Sequence, residues 1–236
     1  MGQTPYVSAI LVAAGASTRM GGGVNKQLMP IHGKPALYYT IKAFEDTDAV
    51  REIVLVCRRQ EAGAFAQLVK KSGFQKVKAF ATGGATRQES VISGIASASA
   101  QADYFAIHDG ARCMVTPQLI EQVIRDAVEH RAATAAVPVK DTIKVSDSEG
   151  FVWGTPRRSV LWAVQTPQIF EKTLYMQAVA EARKKGADYT DDCQLVEQLG
   201  ARVHLCMGSY ENNKLTTSED LALAEQILKK REEAVR

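Results

Sequence analysis

The sequence predicts an α/β fold, a mostly parallel, doubly wound sheet flanked by helices. Short apolar runs alternate with stretches of helical periodicity along the chain, which is the pattern of repeated strand and crossover-helix units. Several of those apolar runs end in loops of small, charged or hydroxyl residues, where an open parallel sheet holds its ligand. No Pro/Ser-rich or low-complexity linker interrupts the 236 residues, so a single domain over 1–236 is expected.

Taken in order, strands are expected at 6–12, 52–57, 77–81, 104–108, 134–139, 161–164 and 202–206, with helices in the intervals. Pro35 suits a first helical turn. Thr116 and Pro117 supply an N-cap and a preset first position for a helix running to about His130. Thr217 and Asp220 have capping-box spacing before a terminal helix whose last turns carry Lys229, Lys230 and Arg231, a charge order that complements the helix dipole. Between 139 and 160 the alternation fails, and TIKVSDSEGFVWGT reads as two extended pieces around turn residues Asp147 to Gly150. A projecting β-hairpin arm is expected there. Ile143, Phe151 and Trp153 would expose apolar area on a monomer, so burial against a second subunit is favoured over folding back on its own sheet.

At 46% hydrophobic and 23% charged, the composition is that of an ordinary globular protein. No apolar run approaches the roughly 20 residues needed to span a bilayer. MGQTPYVSAILVAAG has no cationic region before its short apolar segment, so it does not read as a secretion signal, and a cytoplasmic location is expected. Cys57, Cys113, Cys193 and Cys206 are scattered without a C-x-x-C pair, which suits reduced thiols. A net charge of +3 is too small to imply nucleic-acid binding, and small anions are the expected partners.

The span ILVAAGASTRMGGGVNKQ, residues 10–27, reads as a polyphosphate cradle. Gly15 and its small neighbours allow backbone N–H groups close to phosphate oxygens, and Arg19 and Lys26 add full charges. No acid precedes Glu45 in a chain that holds 26 of them. Neither the Walker A spacing nor G-x-G-x-x-G fits, so a different nucleotide-binding framework is implied. In IHDGARC, Asp109 follows an apolar strand and suits a divalent metal that reconciles a carboxylate with a polyphosphate; an Asp109–Arg112 ion pair is the plainer alternative. In TGGATRQESV, Gly84 and Ser90 suit contacts to a nucleobase edge. Asp141, Thr142 and Lys144 at the root of the arm, with Arg157, Arg158 and Thr166 returning to it, suit a second phosphorylated substrate. His108 reads as a structural strand-end residue, and Cys113, beside Arg112, as a candidate reactive thiol.

In this order AAGASTRM with Lys26 and Gln27, GGATRQESV, HDGAR, PVKDTIK, LWAVQTPQIF, TDD and NNKLTTSEDL resemble the 2-C-methyl-D-erythritol 4-phosphate cytidylyltransferases over nearly the whole chain. The resemblance implies a Rossmann-like α/β fold of the sugar-nucleotidyltransferase type and a homodimer joined through the arm. It implies cytidylyl transfer from CTP to a polyol phosphate in the non-mevalonate route to isoprenoids, with Mg²⁺ or another divalent cation. It assigns Ala13, Ala14, Gly84 and Ser90 to the cytosine end, Arg19, Lys26 and Lys214 to the phosphates, and Asp109 to the metal. Arg112, Thr142, Arg158 and Thr166 fall to the polyol-phosphate side, with Thr142 and Arg158 reaching a neighbouring subunit. Val12, Ala85, Cys113 and Asn213 depart from the family pattern. A ribitol 5-phosphate cytidylyltransferase is the nearest alternative, which the glycine and alanine of HDGAR lean against, and a noncatalytic nucleotide-binding protein is a second.

Overall fold

The computed structural model describes residues 4–15 and 26–234. In chain order the strands are β1 (Val7–Val12), β2 (Pro30–Ile31), β3 (Lys34–Pro35), β4 (Val50–Cys57), β5 (Val77–Thr82), β6 (Tyr104–Asp109), β7 (Ala132–Pro138), β8 (Val145–Ser146), β9 (Val152–Gly154), β10 (Trp162–Glu171) and β11 (His204–Met207). The α-helices are α1 (Ala36–Glu45), α2 (Ala62–Ser72), α3 (Arg87–Ala96), α4 (Pro117–His130), α5 (Lys172–Lys185), α6 (Asp192–Glu197) and α7 (Ser218–Glu233).

The main sheet runs β11-β7-β10-β6-β1-β4-β5. Every neighbouring pair is parallel except β10, which lies antiparallel between β6 and β7. Side chains alternate across the sheet with the strand period of two. Ala9, Leu11, Ile53 and Leu55 face a core shared with α1, α2 and α4. Ile10, Val54 and Val56 face the opposite core, shared with α3, α5 and α6. Both faces are therefore covered, which is why β1 from Ala9 onward and β4 from Ile53 onward read as continuous apolar runs rather than alternating ones.

Helix ends follow local chemistry. Thr116 accepts the Leu119 N–H at 3.3 Å with Pro117 in the first turn, and α4 ends at His130 as the sequence predicts. Asp220 reaches back to the Thr217 N–H at 2.9 Å, so the expected capping box opens α7. On α3, a Cβ at Gly94 would lie 2.5 Å from Ile10 and 2.6 Å from Val56, so only glycine lets this helix rest so close to the sheet.

Two expectations are corrected. The run expected at 161–164 is the start of a ten-residue strand, β10, that continues through Gln165, Thr166 and Gln168. These polar residues are buried with partners, which hydrophobic periodicity does not register. Pro35 stands just before α1 rather than in its first turn, and also closes the small β2–β3 hairpin, whose two-residue strands are too short to leave a periodic pattern.

The arm is present. β8 pairs antiparallel with β9 around a turn in which Asp147 accepts the Glu149 and Phe151 N–H groups at 3.0 and 2.9 Å, and Gly150 takes a φ of +89°. Phe151 is 68% and Trp153 81% exposed, so the arm does not fold back onto its own sheet.

Candidate active site

The carboxyl ends of β1, β5 and β6 open into one cavity of about 470 Å³. β1 delivers Ala14 and Gly15, β5 delivers Gly83 to Arg87, and β6 ends on Asp109. Lys26, Arg58 and Lys214 complete the charged lining, so four cations surround one carboxylate among the described residues.

Gly83 sets how closely two of these loops approach. A Cβ there would fall 2.3 Å from that of Ala14, and one at Gly84 would fall 2.4 Å from that of Glu89. The bare backbone is then held in place: Gly84 N–H donates to Ser90 Oγ at 3.1 Å, and that hydroxyl donates to the Thr86 carbonyl at 2.9 Å. Ala85 N–H donates to Glu89 Oε2 at 2.7 Å, so a carboxylate from α3 serves the backbone at the position where Ala85 itself departs from the family pattern. Thr86 caps α3 by accepting the Glu89 N–H at 3.2 Å.

Asp109 is buried, yet its two oxygens are served by separate cations. Oδ1 faces Arg87 Nε at 3.4 Å, while Oδ2 faces Lys214 Nζ at 2.8 Å and Arg112 Nε at 3.9 Å. Burial alone raises a carboxyl pKa, but Arg87 and Lys214 more than offset it and hold Asp109 well below the usual carboxylate range. Desolvation disfavours the Arg87 charge, and Asp192 and Asp109 overcome it, so that guanidinium stays charged.

Beneath Asp109, His108 is fully buried and burial lowers its pKa to about 4. A carbonyl only accepts, so His108 Nε2 carries the proton it gives to the Arg112 carbonyl at 3.2 Å. Nδ1 is then the acceptor for the Thr166 hydroxyl at 3.0 Å, and that same hydroxyl accepts the Asp109 N–H at 3.1 Å. A neutral His108 thus fixes the backbone of Asp109, the structural role expected of it. The segment carrying Lys214 is pinned on both sides. Asn212 donates to the Thr166 carbonyl at 2.9 Å, and Leu215 N–H to the Ala111 carbonyl at 2.8 Å.

A divalent cation fits this donor set. Mg²⁺ needs only one or two carboxylates when phosphate oxygens and water supply the rest, and Asp109 is an ionised carboxylate at the cavity wall. Among the described residues no group of three His, Cys, Asp or Glu forms an all-protein cage.

Of the residues singled out by sequence, Ala14, Gly15, Lys26, Gly84, Ser90, Asp109 and Lys214 line the cavity. Ala13 is buried behind it, its N–H bound to the Val56 carbonyl at 2.7 Å. Thr166 and Arg112 stand behind Asp109, with Arg112 Nη1 donating to the Asn212 carbonyl at 2.9 Å. Thr142 and Arg158 lie exposed at the root of the arm and outside the cavity wall; Arg158 donates to the Lys140 carbonyl at 2.8 Å. Arg19 lies outside the described residues. Cys113 is not a reactive thiol: it is buried beside Ile31, Met114 and Leu215, and burial pushes its pKa up to about 12. Arg87 and Asp192 were missed. Both lie inside the quoted motifs GGATRQESV and TDD, but their mutual contact at 2.5 Å spans 105 positions.

The family profile described as 2-C-methyl-D-erythritol 4-phosphate cytidylyltransferase matches residues 7–230. A protein of that name from Caldanaerobacter subterraneus subsp. tengcongensis is 45% identical over 225 residues, covering 95% of this chain and 99% of that one. The crystal structure of 4-diphosphocytidyl-2C-methyl-D-erythritol synthase from Anaerococcus prevotii superposes with a TM-score of 0.84 at 27% identity, covering 96% of this chain and all of that one. That of 2-C-methyl-D-erythritol 4-phosphate cytidylyltransferase from Thermus thermophilus gives a TM-score of 0.74 at 32% identity, covering 94% and 98%. With the sheet, the glycine loop and the Asp109 cluster arranged as described, this chain belongs to the 2-C-methyl-D-erythritol 4-phosphate cytidylyltransferase family.

Proposed function

We propose that this enzyme transfers the cytidylyl group of CTP to 2-C-methyl-D-erythritol 4-phosphate, giving 4-diphosphocytidyl-2-C-methyl-D-erythritol and pyrophosphate. The observation that carries this reading is the cavity itself, in which a side-chain-free glycine wall faces a ring of cations around a single ionised carboxylate. A phosphate oxygen of the polyol attacks the α-phosphorus of CTP, the bond from that phosphorus to the α–β bridging oxygen breaks, and pyrophosphate leaves. The attacking phosphate is already nucleophilic, so the protein's work is to bring two anions together and neutralise the charge that develops.

Ala14, Gly15, Gly84 and Ser90 form the cytidine end, where fixed backbone groups read the base, with Ala13 packed directly behind them. Lys26 and Lys214, with Arg19, take the triphosphate. Asp109 holds Mg²⁺ or another divalent cation, which when bound supplies charge neutralisation at the phosphates. Arg112 and Thr166 support the polyol-phosphate side, and Thr142 and Arg158 reach the same side of a neighbouring subunit when the arm, at about 139–160, joins a homodimer. The exposed Phe151 and Trp153 support that dimer. We read residues 1–236 as a single cytidylyltransferase domain acting in the cytoplasm on isoprenoid precursors. No helix among the described residues is long and apolar enough to cross a membrane.

Asp109→Asn tests the centre of this scheme. Removing one preorganised charge is expected to lower kcat about a hundredfold, or about 3 kcal/mol in the transition state. Pyrophosphate release from CTP with the methylerythritol phosphate measures it, and an unchanged kcat in the folded variant removes Asp109 from the mechanism.

A further inference from the structure

We infer that Asp192 is a positioning residue for the metal-binding carboxylate, acting on Asp109 through Arg87. This rests on the reading above, in which Asp109 seats the divalent cation.

One planar guanidinium spans two acids. Arg87 Nη1 is 2.5 Å from Asp192 Oδ2 while its Nε is 3.4 Å from Asp109 Oδ1. Asp192 is itself immobilised, 2% exposed, with its other oxygen accepting from the Tyr175 hydroxyl at 2.6 Å in the core between α5 and α6. The preceding residue, Asp191, caps α6 and accepts from Gln168 of β10 at 2.5 Å. The anchor therefore belongs to packed elements rather than to the cavity loops, and the rigid fork of arginine carries its direction to Asp109.

The nearest cation on the other oxygen is held differently. Lys214 at Oδ2 is a point charge on a flexible stem, 40% exposed. Oδ1 is thus tied to a fixed partner, whereas the nearest cation on Oδ2, Lys214, is exchangeable and Arg112 stands farther off at 3.9 Å. A divalent cation held by Asp109 would supply charge neutralisation at the phosphates, Lys214 would be free to turn from the carboxylate to them, and Arg87 would keep the carboxylate aimed. A lysine at 87 retains the charge but cannot span both acids.

The rival explanation is that the Arg87–Asp192 pair only staples α3 to α6; it predicts a lower melting temperature and no change in metal affinity. The deciding experiment measures Mn²⁺ binding by electron paramagnetic resonance, with CTP present and no polyol acceptor, in the wild type, Asp192→Asn, Arg87→Lys, Tyr175→Phe and Asp109→Asn. Loss of a partner that orients a metal ligand is expected to weaken Mn²⁺ about tenfold in Asp192→Asn and Arg87→Lys, and less in Tyr175→Phe. CTP affinity without metal is expected to stay at the wild-type value in Asp192→Asn and Tyr175→Phe, whose side chains lie outside the cavity wall. Wild-type Mn²⁺ affinity in folded Asp192→Asn overturns the inference, as does an equal loss of metal-free CTP affinity. Should Asp192→Asn not fold, Tyr175→Phe decides by the same readout, since it leaves the charge pair intact. Wild-type affinity in Asp109→Asn overturns the metal seat itself, whereas a loss there with none in Asp192→Asn overturns the positioning role alone.

Discussion

Asp109 and Cys113 are close in the chain and burial pushes both pKa values up, but only at Asp109 do cations reverse the effect, since Arg231 does not overcome burial at Cys113. The Arg112 guanidinium, adjacent to Cys113 in sequence, is turned to Asp109 and the Asn212 carbonyl, and the thiol is left in an apolar cluster. Sequence adjacency suggested a thiolate because it cannot show which way a side chain points. All four cysteines are buried, and Cys206 is likewise pushed up to about 12 by burial and Asp126. Iodoacetamide at pH 8 is therefore expected to leave the native protein unlabelled while labelling every thiol in urea, as mass spectrometry would show. Rapid native labelling of Cys113 would contradict this account of its surroundings. The same directional blindness hid Arg87: its motif was visible, but its two carboxylate partners come from β6 and α6.

Among the elements, α3 carries the cavity's best-defined wall, with Thr86 at its cap, Arg87 in its first turn and Ser90 one turn on. Its distance from the sheet is set by Gly94 against Ile10 and Val56, both fully buried and unable to yield. Gly94→Ala gains about 1 kcal/mol of helix propensity, yet overpacking of a dense core costs about 1–3 kcal/mol and is expected to win. The urea midpoint should fall, and CTP affinity with it as the wall is displaced; a more stable variant would show that the helix can slide freely. Strands β1, β4 and β6 were legible because burial on both faces leaves apolar runs. β10 was legible only at its start. Its centre is Gln165–Thr166–Pro167–Gln168, where the ladder to β7 shifts register and the polar side chains are satisfied by long-range partners such as the Ser209 carbonyl and Asp191. Those partners are set by the tertiary fold, so no local pattern announces them.

For the whole molecule, alternating strand and helix signals sufficed to predict a doubly wound sheet, and the failure of that alternation sufficed to predict the arm. The second subunit proposed to cover the arm is the part a single chain does not contain. Trp153 and Phe151 present a large apolar surface on a thin hairpin that contributes little to either core. The wild type is expected to sediment as a dimer, and Phe151→Asp with Trp153→Asp as a monomer of nearly unchanged melting temperature. Because Thr142 and Arg158 ride on the arm, that monomer should keep CTP binding and lose most turnover of the polyol phosphate. A fully active monomer would confine the site to one chain.

Which acceptor receives the cytidylyl group is decided by following pyrophosphate release from CTP and Mg²⁺ with 2-C-methyl-D-erythritol 4-phosphate, with ribitol 5-phosphate, and with no acceptor. Turnover confined to the methylerythritol phosphate is the predicted result. Preferential turnover of ribitol 5-phosphate, or CTP binding without pyrophosphate release from either acceptor, would contradict it.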